Sequence, residues 1–120
     1  MTQFTVEQLK DIVAEAKREA HAAADKFFKD VLGGRDQYAC GFAWVNIYRH
    51  QSVGKIKGNS KLGRALKSAG ISQDYNRNFQ IWNPSGFPCQ NVDTLEKGAE
   101  AAADVFRKYG FEAYAGSRLD

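Results

Sequence analysis

The chain has 120 residues, of which 43% are hydrophobic and 26% charged, and its aromatic complement is eight Phe, five Tyr and two Trp. That composition suits one globular domain with a core of its own and excludes a disordered chain. The longest apolar runs are only a few residues, which excludes a transmembrane helix, and the net charge of +3 is unevenly placed.

The amino terminus opens on a long helix. Thr5 and Gln8 form a Thr-x-x-Gln capping box, with Phe4 and Leu9 placed as a hydrophobic staple. Apolar residues recur at Val6, Leu9, Val13, Ala16, Ala20, Ala23, Phe27 and Val31, a heptad-like seam with small residues at its centre. Gly33 and Gly34 end it. The seam suits either the carboxy-terminal helix of the same chain or a second copy.

Residues 38–49 read as a strand with two unlike faces. Gly41, Ala43, Val45 and Ile47 are small or aliphatic. Cys40, Phe42, Trp44, Asn46 and Tyr48 are aromatic or polar. A glycine-punctuated loop follows over 50–59, and Ser60 caps a short helix that carries Leu62, Ala65, Leu66 and Ala69 and stops at Gly70. Residues 78–83 are a second strand closed by Pro84. Asp93 and Glu96 repeat the capping-box pattern before a second long helix, whose apolar stripe is Leu95, Ala99, Ala102, Ala103, Phe106 and Tyr109. Gly110 ends that helix, and residues 111–119 are a last strand. The order predicts a single α/β (α+β) domain over 1–120. It is a two-layer sandwich with a sheet of about three strands, two long helices on one face and one short helix. The long helix between the second and third strands would allow them to be parallel neighbours across a right-handed crossover, but strand order is not readable from the sequence.

The charge distribution carries the main functional lead. Residues 37–77 hold seven basic side chains and one acidic, whereas the flanking segments are close to balanced. Arg49, His50, Lys55, Lys57, Ser60, Lys61, Arg64, Lys67 and Arg77 are the candidate anion-binding or nucleic-acid-binding residues. Positive charge left uncancelled in one segment attracts a polyanion, a phosphate or an acidic partner. The Gly54–Ser60 loop also feeds a helix amino terminus, whose free N–H groups suit an anion. It is not a Walker A loop, because Gly58 is followed by Asn59, Ser60 and Lys61 rather than by Lys and Ser or Thr.

A second constellation lies on the strand face turned away from the helices. Phe42, Trp44, Tyr48, Trp82, Tyr114 and Arg118, with Asn46 and Gln80, share it. A homodimer interface, burial under segments 50–77 and 84–92, and a base-stacking platform all fit these residues, in that order of preference. The aromatic signatures of an RNA-recognition motif are missing.

Catalytic and metal motifs are weak. Cys40, Cys89 and His50 have no hydrolase motif around them, and two Cys and two His at scattered spacing do not make a zinc site. No catalytic residue, metal or cofactor is assigned. The helix after Ser60 lacks a convincing second helix for a helix-turn-helix, and His21 is read as a surface residue of the long helix. The amino terminus has neither the basic nor the apolar region of a signal peptide, so a cytoplasmic protein with two reduced thiols is expected.

The Ala-Cys-Gly-Phe-Ala-Trp-Val strand and the Ala-Tyr-Ala-Gly-Ser-Arg-Leu-Asp ending resemble small proteins of marine tailed bacteriophages. The resemblance spans mostly residues 38–48 and 93–120. It implies a life in the host cytoplasm and transfers no functional residue.

These readings converge on a non-enzymatic binding or accessory protein, a homodimer, whose basic 49–77 segment contacts an anionic partner such as nucleic acid, with no membrane contact. The alternatives are a small-molecule or phosphate-binding protein or enzyme with a site at His50, Asn46 and the Gly54–Ser60 loop, and a structural self-assembling protein.

Overall fold

The computed structural model describes residues 4–120. Met1, Thr2 and Gln3, part of the stretch read for a signal peptide, lie outside the described residues. Helix α1 (Val6–Asp30) begins where the capping box places it. The Gln8 N–H donates to Thr5 Oγ1 at 3.1 Å, and the Thr5 N–H donates to Gln8 Oε1 at 2.9 Å. Its buried stripe is Leu9, Ile12, Ala16, Ala20 and Ala24. Ile12 and Ala24 thus replace Val13 and Ala23 of the expected seam, and Val31 lies past the helix end and is exposed. A strict heptad stays on one face only if the helix supercoils, whereas the stripe of an ordinary helix drifts.

Helix α3 (Val92–Lys108) fills that stripe with Gly98, Ala99, Ala102 and Ala103, all buried. A Cβ added at Gly98 would stand 3.1 Å from the Ala20 carbonyl oxygen and 2.7 Å from Ser85 Cβ, so the two backbones nearly touch there. The seam is therefore occupied within the chain. Tyr109 Oη donates to Glu15 Oε1 at 2.6 Å, and Lys108 Nζ bonds the other oxygen of that carboxylate. The α3 cap is Asn91, not Asp93. Asn91 Oδ1 accepts from the Thr94 N–H at 2.8 Å and from Thr94 Oγ1 at 2.9 Å, while Asn91 Nδ2 donates to the Gln37 carbonyl at 2.9 Å. A buried Asn with these partners starts the helix two residues earlier than the Asp-x-x-Glu pattern would, and leaves Asp93 in the first turn, where its charge suits the helix dipole.

Among the described residues the sheet has five antiparallel strands rather than three. Strand β1 (Gly41–His50) is its centre. Strand β5 (Phe111–Leu119) runs along one edge of β1, and β4 (Phe79–Trp82) and β2 (Gly54–Lys55) lie end to end along the other. Strand β3 (Ser72–Gln73) pairs with β4. Two-residue strands such as β2 and β3 are too short to reveal an alternation in the sequence. β4 and β5 run the same way, but β1 separates them, so they are not neighbours. α3 carries the chain across β1 from one side to the other.

Helix α2 (Lys61–Ser68) and its flanks send Leu66, Ile56 and Ile71 into the same core as Leu9, Ile12, Val45, Ile47, Phe79 and Phe106. All three helices thus cover one sheet face. Along β1 burial alternates from Gly41 to Ile47. A bulge at Tyr48, between the pairs Ile47–Ala113 and Arg49–Glu112, returns His50 to the core side. The 84–92 segment also turns to the helices, with the Phe87 ring against His21 (5.4 Å) and Phe28 (5.2 Å) of α1. Trp82 and Tyr114 stay half exposed, so burial of the aromatic face under segments 50–77 and 84–92, the second of its three alternatives, is not what the fold forms. No helix among the described residues is long and apolar enough to cross a membrane.

Candidate functional site

A cleft of about 540 Å³ opens between the loop after β2 and the β3–β4 hairpin. Lys55, Lys57, Gly58 and Asn59 form one wall, Gln73, Asn76, Arg77 and Asn78 the other, and Lys67 of α2 closes the back. Four cations and several amides line it, without a carboxylate. Among the described residues none of Lys55, Lys57, Lys67 and Arg77 is ion-paired. By contrast, among the described residues of the long helices most lysines are paired: Lys10 with Glu7, Lys26 with Asp30, Lys29 with Asp25, Lys97 with Glu100 and Lys108 with Glu15, while Lys17 and Arg18 are not.

Local sequence explains how the cleft is held open. Ile56 is buried and its N–H donates to the Tyr48 carbonyl at 3.1 Å, so the alternating Lys-Ile-Lys segment anchors its middle and turns both lysines outward. Ser60 Oγ donates to the Lys57 carbonyl at 2.6 Å and accepts from the Gly63 N–H at 3.0 Å, which ties the loop to the start of α2. Gly63 permits the contact, because a Cβ there would fall 2.1 Å from the Lys57 oxygen. On the opposite wall Asp74 organises the hairpin. Its Oδ1 accepts from the Asn76 and Asn78 N–H groups, each at 2.9 Å, and its carbonyl accepts from the Arg77 N–H at 3.0 Å. Arg77 itself takes φ of +63°, a left-handed conformation that a glycine would adopt without strain. Gln73 Nε2 donates to its carbonyl at 2.9 Å. Tyr75, at the tip of this turn, is fully exposed.

The remaining basic candidates go elsewhere. Arg49 pairs with Glu112 at 3.5 Å. Lys61 and Arg64 lie on the exposed side of α2 and do not line the cleft. The Ser60 hydroxyl is spent on the cap. His50, expected as an anion contact, is 1% exposed. Its Nε2 donates to the Tyr109 carbonyl at 2.9 Å, and its Nδ1 accepts from the Ser52 N–H at 3.1 Å with Ser52 Oγ at 2.7 Å. A carbonyl can only accept and a backbone N–H can only donate, so the ring is the neutral Nε2–H tautomer with both nitrogens engaged. Asn46 is on the opposite sheet face, bonded by Gln80 Nε2 at 3.2 Å. His50, Asn46 and Ser60 therefore do not converge on one pocket, although a shallower hollow of about 410 Å³ runs past Arg49, His50, Gly54, Arg107 and Glu112. Cys40 and Cys89 are free thiols. Burial pushes the Cys89 thiol above its ordinary range, away from nucleophile chemistry, and His50 has no nitrogen left to activate either sulfur.

The aromatic face is assembled as the alternation of β1 predicts. Phe42, Trp44, Asn46 and Tyr48 of β1 stand beside Gln80 and Trp82 of β4 and Tyr114 and Arg118 of β5. The Trp44 and Trp82 rings are stacked, with centroids 5.4 Å apart and planes 5° from parallel. Arg118 lies 5.4 Å over the Phe42 ring, and Tyr48 and Tyr114 are 6.1 Å apart. Gly116 lets Trp44 lie down on β5, since a Cβ there would stand 2.5 Å from Trp44 Nε1. Trp82 and Tyr114 are each 50% exposed. The face meets the cleft at one end, because Lys55 pairs with Arg49 and Ile56 bonds to Tyr48.

No family model matches this chain, and no curated protein or solved structure matches it. The site is read from its own chemistry.

Of the sequence candidates, Lys55, Lys57, Lys67 and Arg77 come together in the cleft, beside Asn59, Gln73, Asn76 and Asn78, which sequence reasoning did not single out. The available signal was the polar Asp-Tyr-Asn-Arg-Asn run between the apolar Ile71 and Phe79, which is hairpin-turn chemistry.

Proposed function

We propose that this protein is a binding protein that holds an anionic polymer, nucleic acid, through the cleft of Lys55, Lys57, Lys67 and Arg77. The observation that supports the reading is the cleft itself, with four cations free of ion pairs and no carboxylate in its lining. A small phosphate would need fewer charges. Cations spread over two walls and a helix suit a chain of phosphates, and the amides of Asn59, Asn76 and Asn78 add hydrogen bonds to phosphate or sugar oxygens.

The test is fluorescence anisotropy with labelled oligonucleotides over a salt series. Four phosphate contacts predict a log–log slope with salt of about −3 for a single strand and about −3.6 for a duplex. The double reversal Lys57→Glu with Lys67→Glu should abolish binding at low salt. Unchanged affinity in that variant, or no binding by the full chain at low salt, would sink the reading.

A further inference from the structure

The uncovered aromatic face needs an occupant, and its composition argues for one. It is a strip along β1 from Phe42 to Tyr48, about 20 Å at ~3.4 Å per residue. Arg118 marks one end, and Lys55 and the cleft mark the other. Of the carboxylates toward this side, Glu112 is paired with Arg49 and accepts from Tyr114 Oη at 3.3 Å, and the exposed Asp120 lies two residues beyond Arg118, its N–H bonded to the Cys40 carbonyl. A second copy laid face to face would bring Arg118 near Arg118 in one orientation and near the Lys55 end in the other, offset at the Arg118 end by Asp120. A polyanion meets the Lys55 end and the adjoining cleft favourably.

The middle of the strip is not plain apolar surface either. The Gln80–Asn46 bond uses Gln80 Nε2 and Asn46 Oδ1. It leaves Gln80 Oε1 as an acceptor and Asn46 Nδ2 as a donor, side by side between the tryptophans and the tyrosines. A donor and an acceptor beside exposed rings are what the hydrogen-bonding edge of a nucleobase requires, and stacking on aromatic side chains is how unpaired bases are held.

We infer that the open sheet face is a base-stacking platform continuous with the basic cleft, so that the ligand is a single strand of nucleic acid with phosphates in the cleft and bases on Trp82, Tyr114 and their neighbours. This rests on the proposed function and narrows it. A duplex, whose bases face inward, can use the cleft but not the platform.

The experiment measures anisotropy for a labelled single-stranded oligonucleotide and for the duplex of the same sequence. It uses the full chain, Trp82→Ala, Trp82→Phe, Tyr114→Ala and Lys57→Glu, with light scattering on each. Trp82 and Tyr114 are half exposed, so their truncation leaves the fold standing, and thermal melting verifies this. The full chain should bind the single strand tighter than the duplex, with quenching of tryptophan fluorescence. Trp82→Ala and Tyr114→Ala should each weaken single-strand binding roughly 5- to 150-fold, the equivalent of ~1–3 kcal/mol per stacked base. Duplex affinity should stay within about twofold by the same reasoning, and Trp82→Phe should restore most of the loss. If the alanine variants bind single strands normally while Lys57→Glu does not, the platform falls and the cleft stands. If Trp82→Ala weakens binding and Lys57→Glu does not, the cleft reading falls and the platform stands. A dimer that Trp82→Ala dissociates would mean that a second copy occupies the face, and the inference is overturned. Absence of any oligonucleotide binding overturns both.

Discussion

Arg77→Gly separates what the β3–β4 turn costs the fold from what it does for binding. Arg77 holds φ of +63°, and the two hydrogen bonds that fix it, to the Asp74 carbonyl and from Gln73 Nε2, use only its backbone atoms. Glycine keeps both. It relieves roughly 1–2 kcal/mol of left-handed strain and gives back about 0.4–1 kcal/mol through the more flexible unfolded chain. The net change is a gain of about 0.8 kcal/mol, or roughly 3 °C in Tm for a chain of this length. The same substitution removes one of the four cations of the cleft. One lost phosphate contact lowers the salt slope by about 0.7 for a single strand, which amounts to about eightfold weaker binding at about 50 mM salt if the contact vanishes near 1 M. The assays are thermal melting and an anisotropy salt series on the same two samples. The expected variant is slightly more stable and binds more weakly with a shallower slope. A Tm several degrees lower would refute the account of the turn. An unchanged slope and affinity would refute the assignment of Arg77 to phosphate.

Three further outcomes are expected. Gly63→Ala drives a Cβ toward the Lys57 carbonyl, so the loop must shift; it should cost ~1–3 kcal/mol in denaturant unfolding and weaken oligonucleotide binding by displacing Lys57, and a variant as stable as the parent would show that the contact is not tight. His50→Leu removes the part-buried hydrogen bonds to the Tyr109 carbonyl and from the Ser52 N–H, at ~0.5–1.5 kcal/mol for each, without changing the affinity of the folded protein; a specific loss of binding with normal stability would return His50 to the ligand site. The Glu15 carboxyl is held below its ordinary value of 4.5 by hydrogen bonds from Lys108 and then Tyr109. Its depressed value means that the stabilisation is complete above that pH and is lost as pH falls through the folded value, so the Tm gap between the parent and Glu15→Gln should close on acidification. A gap that stays constant from neutral pH to well below 4.5 would refute this linkage.

Helices were legible because their signals are local. The Thr5–Gln8 box, the Ser60 cap and the Gly33, Gly70 and Gly110 stops sit within a few residues of what they control. The two faces of β1 were legible because alternation runs through seven residues before the bulge. The strand order was not, because nothing in residues 79–82 or 111–119 records that both must pair with β1 rather than with each other. The α3 cap was misplaced for a related reason. Asp93 and Glu96 have the right spacing, but Asn91 wins through its bond to the Gln37 carbonyl, a partner remote in sequence. The charge run located the cleft. It could not distinguish Lys55 and Lys57, which line the cavity, from Arg49, which Glu112 neutralises, or from His50, which the bulge at Tyr48 turns into the core.

The central place of β1 has a consequence for how the chain is made. Its register with β5 joins residues about 60 to 80 positions apart, such as His50 with Phe111 and Gly41 with Leu119. Closing such loops is slow compared with forming helices, whose contacts are nearby in sequence. During synthesis β1 emerges long before its principal neighbour and must wait with its tryptophan unpaired and its edges open. The exposed rings and the lysines and arginines around them therefore face the cell first as an unfinished surface, and cations near an open strand edge discourage it from joining another chain. If the sheet closes last, mutations that change the intrinsic stability of α1 or α3 should change the folding rate, while those at the β1–β5 pairing should mainly change the unfolding rate. The reverse pattern would place strand pairing at the start.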